Sequence, residues 1–136
     1  SRQPAAMRWI AACTRSILDQ ELLAADRLAG LDLDAILDSR ESASFDDAWV
    51  TSWHTIEHAW SARSMAPEGR RAVRVLRRVA FLATSRATCQ HEVAGCVSDD
   101  FELLGKAALL GIDTPFLAGL WAAYASGTIP GRPAQA

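Results

Sequence analysis

Two imidazoles and a carboxylate stand within five residues, in His54-Thr-Ile-Glu57-His58. On a helix, residues four apart lie one turn apart, so His54 and His58 could share one zinc-like divalent metal with Glu57 as ligand or base. A second group of chemically able side chains follows in Cys89-Gln-His91-Glu92 and Cys96. Cys89 and Cys96 are seven residues apart, on one face of a continuous helix about two turns from each other, too far for a disulfide. Zinc ligand pairs normally sit closer in sequence, so the expected role of these thiols is that of small buried hydrophobes. Between the two clusters, Arg70, Arg74, Arg77 and Arg78 gather within roughly 100° of a helical wheel, opposite Ala72, Val75, Leu76, Val79 and Ala83. Such a face can contact phosphates, which gives affinity without sequence information. Phe81 falls on the arginine side, which predicts that this side meets another helix or a second subunit. Arg86 projects onto the apolar side and must pair with an acid or lie near a helix end.

Composition limits what these groups do. The 136 residues suffice for one domain with one core, and a formal net charge of −2 gives no global attraction to nucleic acid or an anionic membrane. The arginine face is therefore expected to be solvated and to pair with some of the sixteen acids; nucleic acid is not the expected partner. Three scattered cysteines cannot make a complete disulfide framework, and no basic stretch leads into an apolar segment and a small-residue cleavage site. A reducing cytoplasm is the expected compartment. The most apolar segment, 107–124, is interrupted by Gly111-Ile-Asp-Thr-Pro115, so no membrane span is expected. There is no Ser-His-Asp order, phosphate-binding glycine loop or dinucleotide fingerprint.

The elements that must position these residues all read as helical. No stretch alternates with period two, and the chain is expected to be all-α, a compact bundle of about six helices. Residues 5–29 read as one helix stopped by Gly30, followed by a short helix over 33–37 capped by Asp32. Residues 39–44 read as a loop ending in the capping box Ser44-Phe-Asp-Asp47. The helix it opens carries Trp49, Trp53, Ile56 and Trp60 at steps of four, three and four, an inward stripe. Pro67 starts a long helix over 67–97, and Ser98 caps the next, which stops at Gly111. Thr114-Pro115 opens the last helix, with Phe116, Leu117, Leu120, Trp121 and Tyr124, closed by Gly127. The helical domain is thus set at 1–127 and a loose tail at 128–136. The expected core joins the long helix, the tryptophan helix and the 116–124 helix.

Several stretches resemble known families. His54-Thr-Ile-Glu57-His58 is similar to the H-x-x-E-H pattern of the inverted zinc proteases, and Arg86 with His91 matches the R-x4-H spacing of a helical ribonuclease class. Glu21-Leu-Leu-Ala-Ala-Asp-Arg-Leu-Ala-Gly30-Leu-Asp and Asp99-Asp-Phe-Glu-Leu-Leu-Gly-Lys-Ala-Ala-Leu-Leu-Gly111-Ile-Asp-Thr-Pro115 resemble two segments of the helical C-terminal domain of β-hydroxyacid dehydrogenases, the group of 6-phosphogluconate and 3-hydroxyisobutyrate dehydrogenases. That resemblance places the family's catalytic lysine near Ala5 and its asparagine near Arg8 or Trp9, so the catalytic residues are absent. With no nucleotide-binding domain either, it implies a helical domain without its own catalysis. Cys89-Gln-His-Glu92 and the late Gly-Ile-x-x-x-Phe-Leu helix also resemble carboxymuconolactone decarboxylase-like proteins, with Glu102 where that group has a histidine.

The reading that results is a non-catalytic helical binding or dimerisation module. Its expected partner is a second copy or another protein, with no cofactor and no small-molecule ligand named. The first alternative is a metal-binding protein or metal-dependent enzyme using His54, Glu57 and His58. The second is a nucleic-acid binder or ribonuclease using the arginine face of the 67–97 helix; Phe81, Arg86, Cys89 and His91 stand apart as further candidate site residues.

Overall fold

The computed structural model describes residues 4–131, and among them seven helices and no strand. The first helix, α1 (Ala5–Leu18), buries Ile10, Cys13 and Ile17 at steps of three and four, the spacing of one inward stripe. It does not run on to Gly30 as the residue propensities predict. The amides of Glu21 and Leu22 both donate to the Ser16 carbonyl, at 2.8 and 3.1 Å. Gln20 and Leu23 take left-handed φ of 62° and 54°, and the Gln20 side-chain oxygen accepts from the Ala25 amide at 2.9 Å. Each left-handed non-glycine residue costs on the order of 1–3 kcal/mol. The turn brings α2 (Ala25–Ala29) against the fifth helix and buries Leu23 and Leu28, worth about 1.5–3 kcal/mol apiece, which offsets that cost.

Asp32 caps α3 (Leu33–Arg40) by accepting from the Ala35 amide, as expected, but the helix runs past residue 37. Ser42, not Ser44, caps α4 (Ala43–Ala62), accepting from the Phe45 amide at 3.4 Å; Ser44 lies inside the helix. The tryptophan stripe of α4 is only partly inward: Ile56 is buried, Trp49 and Trp60 are half-buried, and Trp53 is 40% exposed. Only one flank of α4 meets the rest of the protein, which explains why a four-residue stripe is not uniformly covered.

The long run from Pro67 breaks at Cys89, whose φ of 56° ends α5 (Pro67–Thr88). The following helix, α6 (His91–Leu110), folds back on α5. Thr88 helps the break, donating to the Thr84 carbonyl and accepting from the Gln90 amide. The α5–α6 hairpin is the most extensive helix pair, with α1 against α5 and α4 across α6. Val73, Leu76 and Ala80 of α5 meet Val93, Val97, Phe101 and Leu104 of α6 in the core. Val75, expected inside, is 44% exposed, because the buried line of α5 is rotated toward Val73, Leu76, Ala80 and Thr84. Ser98 does not start a helix; it is buried within α6 and donates to the Gly95 carbonyl at 2.9 Å.

Gly111, in the left-handed conformation, stops α6 as expected, and Thr114 caps α7 (Pro115–Ala125). After Gly127 (φ 94°) the chain does not become loose at once. Ile129, Pro130 and Gly131 are buried, and Gly131 lies so close to α3 that an added Cβ would stand 2.8 Å from the Ile36 carbonyl oxygen. The rest of the expected tail, 132–136, lies outside the described residues. Among the described residues no helix is long and apolar enough to cross a membrane.

Candidate functional site

The charged side chains sort into a dry centre and a wet face. At the dry centre, Asp100 of α6 has no exposed surface, and each of its oxygens accepts two hydrogen bonds. Oδ1 accepts from Arg40 Nη2 and Trp49 Nε1, both at 2.8 Å. Oδ2 accepts from Arg40 Nη1 at 2.9 Å and from the Tyr124 hydroxyl at 2.6 Å. Arg40 Nη1 also donates to the Pro130 carbonyl at 2.9 Å, and its guanidinium lies 4.8 Å from the Phe45 ring centre. Burial alone would lower the Arg40 pKa, but the hydrogen bonds and charge of Asp100 hold it above its ordinary value. Burial, then the Asp100 charge, pushes the Tyr124 phenol well above its usual range. With four donors on two oxygens, the carboxylate is saturated. This centre ties α3, α4, α6, α7 and the Pro130 segment together and leaves no acceptor for a ligand.

The wet face lies on α5 and the neighbouring flank of α6. Arg77 Nη1 pairs with Asp99 at 2.6 Å and Glu102 at 2.8 Å, and Lys106 Nζ pairs with Glu102 at 2.9 Å and Glu57 at 2.6 Å. Lys106 also stands 5.2 Å from the Trp60 ring centre. Burial would lower its pKa, yet the hydrogen bonds to Glu57 and Glu102 raise it and keep the ammonium charged. Beside this chain of ion pairs, an open groove of about 680 Å³ runs along α5, with Arg71, Arg74, Val75, Arg77, Arg78, Phe81 and Leu82 of that helix in its lining. Arg70, Arg71, Arg74 and Arg78 are exposed and form no ion pair among the described residues, where the expectation of a face paired with the chain's acids holds for Arg77 only.

The residues singled out by sequence are dispersed. His54 and His58 are exposed on α4, with His54 edge-on to Trp53 at 5.4 Å between ring centres, and Glu57 is held by Lys106. Among the described residues no group of three or more His, Cys, Asp or Glu side chains is arranged to hold a metal ion. Phe81 is half-buried and stacks on His91, 6.2 Å between centres and 13° between planes; it meets the neighbouring helix of its own hairpin. His91 Nδ1 stands 3.4 Å from Ser85 Oγ. Arg86 is exposed in the last turn of α5, near a helix end as its position required. Cys89 is exposed at the hairpin turn, and burial raises the Cys96 thiol. Sequence reasoning missed the Asp100 centre because a helix capped by Ser98 puts Asp100 in its first turn. The signal was available: Asp100 falls in step with Val93, Val97, Leu104 and Ala107, at intervals of four, three, four and three along an apolar stripe.

No curated protein matches the chain. The model of the family described as Immunity protein PIM1 matches residues 12–131. That span contains both segments that resemble the dehydrogenase domain, and it corrects the resemblance. The first of them is no long acid-bearing helix, since the chain turns between residues 19 and 24. What the two segments share with that domain is the general pattern of amphipathic helices with glycine stops. The match takes in all of α2 to α7 and every partner of Asp100, and on it the chain belongs to the Immunity protein PIM1 family.

Proposed function

We propose that this chain is a non-catalytic immunity protein that binds a protein toxin and blocks its action. The observation that carries the reading is the family match over residues 12–131, which spans nearly the whole helical body. The structure is consistent with a binding scaffold: its buried charges are spent on holding helices together, while its exposed ones line an open groove. The test uses the reading frames on either side of this chain's own. Each product is expressed in a bacterial host with and without this chain. We expect one of them to stop growth alone, growth to be restored by this chain, and the two proteins to purify as a complex of defined mass. A neighbouring toxin that kills equally in the presence of well-expressed chain would overturn the reading.

A further inference from the structure

We propose that the arginine face of α5 is the docking surface for an acid-bearing segment of the partner protein. In this arrangement carboxylates engage Arg74 and Arg78, and an apolar side chain enters the groove between Val75 and Phe81. The inference rests on the immunity-protein reading and names the chemistry of the partner.

Three observations converge on this face. Residues 67–88 hold six arginines against one glutamate, in a chain whose net charge is −2. The positive charge is therefore concentrated on one helix, and it suits a local acidic complement better than a long polyanion, which the nine acids against two arginines in 19–47 would repel. The carboxylates this chain offers to the face are already used: Arg77 takes Asp99 and Glu102, whereas Arg70, Arg71, Arg74 and Arg78 have no ion-pair partner among the described residues. A guanidinium fork presents paired donors matched to a carboxylate. The groove floor is apolar, with Val75 44% exposed and Phe81 and Leu82 half-buried. Arginine beside exposed apolar side chains is the composition of protein-interface centres. A single-stranded nucleic acid would need open aromatic platforms, and the one aromatic ring here has a face stacked on His91.

The probe is a synthetic helical peptide with glutamates four residues apart flanking a leucine, labelled for fluorescence anisotropy. We expect wild-type protein to bind it, and the Arg74→Glu/Arg78→Glu variant to lose at least about tenfold in affinity. Val75→Asp should weaken binding too, and the control pair Arg15→Glu/Arg63→Glu, elsewhere on the surface, should leave it unchanged. Unaltered helicity and thermal midpoint of each variant exclude misfolding as the cause. The docking surface is overturned if wild-type protein ignores the peptide, if the control pair loses as much, or if a single-stranded RNA of equal charge binds as tightly. It is also overturned if the charge reversal merely dissolves a homodimer seen by light scattering. In the toxin co-expression assay, protection that survives Arg74→Glu/Arg78→Glu removes the docking surface and leaves the immunity reading standing. Peptide binding without protection by the wild-type chain removes the immunity reading instead.

Discussion

Arg40 and Arg77 each hold carboxylates on α6, yet they serve the molecule differently. Arg40 meets Asp100 in a site with essentially no water, where the carboxylate takes two further donors from Trp49 and Tyr124. Arg77 meets Asp99 and Glu102 with its side chain 41% exposed, and its neighbours Arg74 and Arg78 have no ion-pair partner among the described residues. The same ion chemistry is therefore structural in one place and available in the other. What separates them is the dielectric around the pair: removing one partner of a dry pair strands a charge, whereas water takes over at a wet one.

Four variants can break or sharpen that contrast. Asp100→Ala should have the largest effect, leaving the Arg40 guanidinium buried without its counter-charge and costing about 3–5 kcal/mol in urea denaturation. A loss below about 1 kcal/mol would show that the centre is not dry. Tyr124→Phe removes one donor to the buried carboxylate and should cost about 1.5–3 kcal/mol by the same measurement. Tyr124 is the chain's one tyrosine, so tyrosinate absorbance reports it alone. Because the folded state holds this proton more tightly than the unfolded chain, its contribution is complete below the ordinary phenol range near 10 and is lost as pH rises above it. Cys13, with its thiol pushed up by burial to about 12, has the same sign from the ordinary thiol range upward. Stability should thus fall in alkali, with tyrosinate appearing together with unfolding; a tyrosinate signal from fully helical protein would contradict this. Arg77→Ala should cost no more than about 1 kcal/mol, with the difference from wild type shrinking as salt is raised. Smallest of all, Arg74→Glu/Arg78→Glu should shift thermal stability by no more than about 0.5 kcal/mol, since neither arginine supports the fold. A larger destabilisation would mean that this face is not free for a partner.

How far the sequence speaks depends on how local the determinant is. The all-helical class, the Asp32 cap, the Gly111 stop and the Thr114-Pro115 start are read correctly because each is a matter of a few neighbouring residues. The two breaks at 19–24 and Cys89 are not, because both use left-handed residues other than glycine. Their reward is burial against other helices: α2 packs on α5 with Leu23 and Leu28 buried in one case, and α6 folds back along α5 in the other. The His54, Glu57 and His58 turn drew notice by spacing alone, and spacing could not show that Lys106, forty-nine residues further on, claims Glu57. Asp100 was hidden for the opposite reason. Beside Asp99 and Ser98 it looks like part of a helix start, and only the apolar rhythm on either side marks it as buried.

The Asp100 centre also sets a schedule for the chain during its synthesis. Arg40 and the Pro130 carbonyl that it grips are ninety residues apart, a stretch that takes roughly 5–18 s to translate. Asp100 lacks its Tyr124 donor until residue 124 is made, and Arg40 lacks its Pro130 acceptor until residue 130 is made. A chain stalled before residue 124 lacks both of these contacts, so the centre can close fully only once residue 130 is free of the ribosome.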